Sequence, residues 1–254
     1  MSCWNETLGA ALDAASGPVP FHFFAIDRGR DPDGTRRLVD LFAECAVPLD
    51  LALVPQALDD GLAAWLRPRF GALLGLHQHG WRHANHEGAE QAAEFGPRRA
   101  YLAQRHDVDL GRRRLRFVLG RQMDTIFTPP WGRSTRQTRR ALRELGLRGA
   151  LLDPAAIDWA AHGPAGSPGA RAVSAALLAR FGCEAPIAVA LRPESFGHED
   201  VLALRPLLDL LRAHLLADCV LLRALVAGGC AILPRPLEDG AGRGQQEEHR
   251  VGAA

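Results

Sequence analysis

Four of the chain's ten histidines, His77, His79, His83 and His86, fall within ten residues, in the run Gly-Leu-His-Gln-His-Gly-Trp-Arg-His-Ala-Asn-His from Gly75 to His86. Imidazole is the commonest protein ligand for zinc and the side chain that titrates nearest neutrality, so this density points to metal-assisted or acid/base chemistry. The segment follows an apolar run, which predicts ligands presented by a loop at the end of a buried strand. A carboxylate joining two imidazoles would make a facial three-ligand set with open positions for water, the arrangement of a catalytic metal rather than a structural one.

The elements that must position these residues alternate short apolar runs with longer amphipathic ones, the signature of repeated βα units around a parallel sheet. Strands are predicted at Pro20–Ile26, Pro48–Val54, Gly71–Leu76, Met123–Phe127, Gly149–Leu152 and Pro186–Leu191, with Cys230–Leu233 as a closing strand. Helices are predicted at Gly34–Cys45, Ala57–Leu66, Pro97–Leu119 and Ser134–Leu145, and a helix or helix pair at His198–Leu225. Functional groups of such folds gather at the carboxyl ends of the strands. The first strand would deliver Asp27, the third His79 and His83, and the fourth Thr128 to Arg133. The fifth leads to Asp158 and Trp159, and the sixth to Glu194 and His198.

Composition narrows the chemistry. The chain has 254 residues, 47% of them hydrophobic and 23% charged, which suits one α/β domain, predicted over residues 1–235 with a flexible tail over 236–254. No lysine is present, so Schiff-base and P-loop lysine chemistry are excluded. A net charge of +1 argues against nucleic acid as a partner, and the arginines from Arg112 to Arg116 read as a solvated helix face. No apolar stretch approaches the roughly 18 residues of a membrane helix. The first residues lack a basic and apolar leader, which leads to the expectation of a cytoplasmic protein. Cys3, Cys45, Cys183, Cys219 and Cys230 are odd in number and scattered, as reduced thiols would be. A serine hydrolase is disfavoured because Gly166-Ser-Pro168 lacks the strand and helix of a nucleophile elbow.

Taken together these elements resemble the polysaccharide deacetylase superfamily over roughly Phe21 to Leu211. His79-Gly-Trp-Arg-His83 is similar to its H-x-x-x-H metal motif, Phe127-Thr-Pro-Pro-Trp-Gly132 to its proline-containing groove motif, and Asp158-Trp159 to its Asp-Trp element. The resemblance implies an α/β fold, a distorted (β/α) barrel of about seven strands, with a divalent metal, zinc by expectation. The activity it implies is hydrolysis of an N-acetyl group on a sugar or glycoconjugate. Asp27, His79 and His83 would be the metal ligands. Trp81, Pro130, Trp131, Arg133 and Trp159 would line the sugar groove, and Asp158, Glu194 and His198 would serve as acid/base groups.

Three departures accompany the resemblance. The family's paired aspartates read Ile26-Asp27 here, so the general-base position is apolar. The histidine of its last motif is replaced within Leu191-Arg-Pro-Glu-Ser-Phe-Gly-His198, and Thr128 stands in place of an arginine. Loss of a general base costs about 10²- to 10⁴-fold in rate. Two readings therefore follow: a metal-dependent deacetylase with a rebuilt base, or a weakened homologue that binds a sugar or regulates a partner. A carboxylate facing the cleft supports the first, and a cleft walled by Ile26 supports the second.

Overall fold

The computed structural model describes residues 3–159, 175–179 and 185–229. Its central strand, β1 (Val19–Asp27), is buried along most of its length, as a strand between layers must be. The other strands are β2 (Leu49–Leu53), β3 (Leu74–His79), β4 (Ile126–Thr128), β5 (Arg148–Gly149), β6 (Ile157–Asp158), β7 (Ile187–Leu191) and β8 (Ala217–Cys219). The helices are α1 (Cys3–Asp13), α2 (Pro32–Glu44), α3 (Asp60–Leu66), α4 (Tyr101–Leu119), α5 (Arg136–Glu144), α6 (175–179), α7 (His198–Ala213) and α8 (Leu222–Ala227).

Every strand pairing is parallel, in the order β5-β4-β3-β2-β1-β7-β6, while β8 pairs with the start of β1. This path ends on β5 and β6 without joining them, so the barrel is distorted and not closed among the described residues. Parallel neighbours need crossover connections, and the helices supply them. Local chemistry sets where several begin. The Asp31 carboxylate accepts from the Gly34 N–H at 2.8 Å with Pro32 in the first turn of α2, and Thr135 and Thr138 form a reciprocal cap on α5.

Strand alternation sorts side chains onto two faces. Phe21, Phe23 and Ala25 of β1, Leu49, Leu51 and Leu53 of β2 and Leu74 and Leu76 of β3 pack into the main core with Leu38 and Phe42 of α2 and Leu204 and Leu208 of α7. The opposite face carries polar groups. There His22 Nε2 lies 3.1 Å from Asp50 Oδ2, which also accepts the Leu222 N–H at 2.6 Å, and His77 Nδ1 lies 3.9 Å from Asp50 Oδ1. Arg223 donates to Asp124 at 3.0 Å, so this polar layer ties α8 to the barrel floor.

One expectation is corrected here. The third strand runs to His79, so His77 and His79 are strand residues and not part of its exit loop. The apolar run was read too early because His77 and His79, both buried, continue its pairing with β2 and β4. The stretch from His198 to Leu225 forms the helix pair α7 and α8, separated by β8, which pairs with Val19–Phe21. The segment Cys230–Leu233 and the tail 236–254 lie outside the described residues. Cys45 and Cys219 are free thiols, and no described helix is long and apolar enough to cross a membrane.

Candidate functional site

His79 ends β3 opposite Thr128 of β4, and that register brings its Nδ1 to 2.9 Å from Thr128 Oγ1. The Thr128 hydroxyl also lies 3.4 Å from the Gln78 carbonyl. Nε2 of His79 is buried and, among the described residues, has no hydrogen-bond partner. Burial is the main cause that holds the His79 ring well below the ordinary imidazole range, with His83, His77 and Arg28 adding to it. His79 is therefore neutral at physiological pH.

His83 is placed by its backbone. The fully buried Glu94 carboxylate accepts from the N–H groups of Trp81, Arg82 and His83 at 2.9–3.3 Å, gathering the loop into a nest around one anion. Gly80 makes the turn possible at φ 61°, since a β-carbon there would fall 2.1 Å from Glu94 Oε2. His83 itself takes φ 56°, and its ring lies 5.3 Å from that of His79 and 4.3 Å from that of Trp131, centroid to centroid. Burial of Glu94 raises its carboxyl above the usual range, opposed by the three N–H groups.

At the end of β1 the two faces part. Ile26 lines a pocket of about 360 Å³ together with His79, Trp131, Asp158, Asp153 and Ala190. Asp27, 3% exposed, turns toward α2 instead: Oδ1 accepts from Gly29 N–H at 2.6 Å and Oδ2 from the Thr35 hydroxyl at 2.9 Å. Its carboxyl is pushed up, chiefly by burial and also by Glu194 and Asp31, while the two hydrogen bonds oppose the shift. The next residue, Arg28, donates to Glu194 on the turn after β7 and so bridges two strand ends.

The remaining expected site residues divide. Trp131, at φ 56° and 42% exposed, and Asp158, held by Arg192, face the same pocket as His79. Pro130 is buried beneath Gly80, and Trp81 is half-buried with its carbonyl accepting the Gln56 N–H at 3.0 Å. Arg133 is half-buried beyond Gly132 and outside the pocket wall. Trp159 is packed into the main core, where its indole Nε1 has no hydrogen-bond partner among the described residues. Glu194 is occupied by Arg28, and His198 is exposed at the start of α7, away from the pocket lining.

Whether these residues fit a metal can be tested on their own geometry. His79 fits, with an anchored ring and an unpartnered Nε2, and His83 stands near it. Asp27 accepts on both oxygens from the α2 side, and among the described residues no three His, Cys, Asp or Glu side chains form a group able to hold a metal ion. Two residues escaped sequence reasoning. Glu94 carried a weak signal, as a lone acid between Ala93 and Phe95, and Arg28 carried none beyond its position after Asp27.

No family model matches the sequence, and no curated protein matches it. The fold does have solved counterparts. A Mycobacterium smegmatis protein described as a polysaccharide deacetylase superposes with a TM-score of 0.63 at 15% identity, over 87% of this chain and 94% of that one. A family 4 acetyl xylan esterase from Clostridium thermocellum, in complex with a cobalt ion, gives 0.57 at 16% identity, over 83% and 92%. A family 4 carbohydrate esterase pseudoenzyme from Bacillus anthracis gives 0.58 at 12% identity, over 82% and 69%, and a mutant of it with restored enzymatic activity superposes equally well. A pseudoenzyme and its mutant with restored activity thus share this architecture, and the fold of the present chain is that of the polysaccharide deacetylases, in divergent form.

Proposed function

We propose that the pocket between β1, β3, β4 and β6 binds an N-acetylated sugar or glycoconjugate, and that the chain acts as a binding or regulatory homologue of the deacetylases in which turnover is weak or lost. The observation that carries this reading is Ile26: the side chain that faces the pocket from β1 is apolar, and its acidic neighbour faces the other way. Trp131 supplies an exposed aromatic face on which a pyranose ring would stack, and Asp158 a carboxylate for sugar hydroxyls. Calorimetric titration of N-acetylglucosamine oligomers into the metal-free chain tests it. Saturable binding that Trp131→Ala weakens is expected, and absence of binding overturns the reading.

A second reading is zinc-dependent hydrolysis of the N-acetyl group, with Asp27, His79 and His83 as ligands and Asp158, Glu194 or His198 as proton donor or acceptor. It is favoured by the unpartnered Nε2 of His79 beside the pocket and by the cobalt ion in the acetyl xylan esterase neighbour. Acetate release from the same oligomers at rates typical of enzymes, on the order of 1 per second or more, would establish it over the first.

A further inference from the structure

The pocket at the strand ends joins a polar side to an apolar wall. Phe24 of β1 and Ala190 of β7 are register partners, and Ile26 follows two residues along β1, so these three side chains share the inner face of the sheet and line the pocket. Leu152 completes the wall and packs on the cluster of Ile126, Ala150 and Leu222. The Phe24 ring is fixed in turn: it stacks on the His22 ring with 5.4 Å between centroids, and His22 Nε2 lies 3.1 Å from the Asp50 carboxylate. The polar and aromatic groups of the same pocket are His79, the exposed Trp131 and Asp158, which is bridged to the exposed Arg192.

We propose that this wall receives the acyl chain of the sugar amide, and that the preferred ligand is an aminosugar whose N-acyl group is longer than acetyl. The inference rests on the sugar-binding reading and specifies its acyl group. With a pyranose stacked on Trp131, an acetyl group ends in a single methyl, too small to cover Phe24, Ile26, Ala190 and Leu152 together. The pocket of about 360 Å³ falls in the range that encloses a drug-sized ligand, whereas an acetyl group displaces the volume of about two waters, roughly 30 Å³ each. Each further methylene that such a wall removes from water adds roughly fourfold to affinity. Ile26 ties chain length to weak turnover, since the residue that leaves β1 without a carboxylate in the pocket also extends its apolar wall. Ala190 sets the space available, because its methyl leaves room beside Phe24 that a larger β7 side chain would fill.

Calorimetric titration of the full metal-free chain with glucosamine trimers bearing N-acetyl, N-butyryl or N-hexanoyl groups tests the proposal without reference to activity. Wild type is expected to bind the N-butyryl trimer about tenfold more tightly than the N-acetyl one, and the N-hexanoyl trimer at least as tightly as the N-butyryl. Ala190→Leu fills the space beside Phe24 and is expected to level the three affinities. Ile26→Asp, a second variant should Ala190→Leu fail to fold, places a charge in the wall and is expected to cut the N-butyryl preference by about fivefold or more. An undiminished preference for longer chains in either folded variant overturns the proposal, because the chain then lies elsewhere. Saturable binding of the N-acetyl trimer by wild type with no gain from longer chains overturns the acyl inference alone, whereas absence of binding by all three trimers overturns the sugar-binding reading with it.

Discussion

Ile26 and Asp27 are consecutive residues on opposite faces of β1, so one lines the pocket with His79 while the other bonds to Thr35 of α2. The carboxylate next to Ile26 in sequence is thereby turned out of the cleft. Chemistry in the pocket depends on which of the two positions is acidic.

Ile26→Asp restores a carboxylate to the pocket wall. With no three-ligand metal group among the described residues, we expect Ile26→Asp to give little acetate release from N-acetylglucosamine oligomers in the presence of cobalt. A rise within the range of about 10²- to 10⁴-fold associated with a positioned general base would favour the decayed-enzyme reading over the binding one.

Trp131→Ala removes an exposed ring, so unfolding by urea should hardly change. Loss of its stacking face should weaken oligosaccharide binding by roughly 1 to 2 kcal/mol, about tenfold, as buried aromatic contacts do in binding sites. His79 keeps its Thr128 contact in this variant, so an effect confined to affinity is the expected outcome of calorimetry.

Glu94→Ala would leave the N–H groups of Trp81, Arg82 and His83 without their acceptor in a buried place. Unpaired buried donors cost about 1 to 3 kcal/mol each, and partial access of water to the loop reduces the sum, so a loss of about 2 kcal/mol or more in urea unfolding is expected. Glu94→Gln, which retains an acceptor, should lose less. If the two variants unfold like wild type, the nest does not hold His83.

Asp124 supplies a pH test away from the site. Burial, with Asp50 beside it, pushes its carboxyl up to about 6 despite the opposing charge of Arg223. A raised carboxyl favours the protonated form in the native state, so its contribution is present below about pH 4 and is lost as pH rises through 6. Asp124→Asn should therefore gain on wild type by on the order of 2 kcal/mol between pH 4 and pH 7. Parallel stability curves for the two proteins across that range would contradict the assignment.

Much of the site was legible because it rests on short-range chemistry. The histidine density, the Pro-Pro-Trp turn and the Asp-Trp pair mark where strands end, and βα alternation fixes that those ends share one side of a parallel sheet. His79, Trp131 and Asp158 accordingly meet at one pocket. The facing of Asp27 was not legible, since Phe21 to Ile26 is apolar at nearly every position and alternation then carries no inside-or-outside signal. Only the packing of Phe23 and Ala25 against the helices, together with the Thr35 hydroxyl on α2, decided that Asp27 lies on their side.

Trp159 was unreadable for a similar reason: an aromatic at a strand end suits a groove or a core equally, and its neighbours in space chose the core. Glu94 and Arg28 act across 11 to 13 and 166 residues respectively, through a backbone nest and an ion pair, and neither partnership leaves a local pattern. By itself the sequence determined the α/β architecture, the strand ends where chemistry would sit and the imidazoles that would do it. Tertiary structure alone decided which charges face those imidazoles, because a strand's parity and a loop's partners are set by what packs against them.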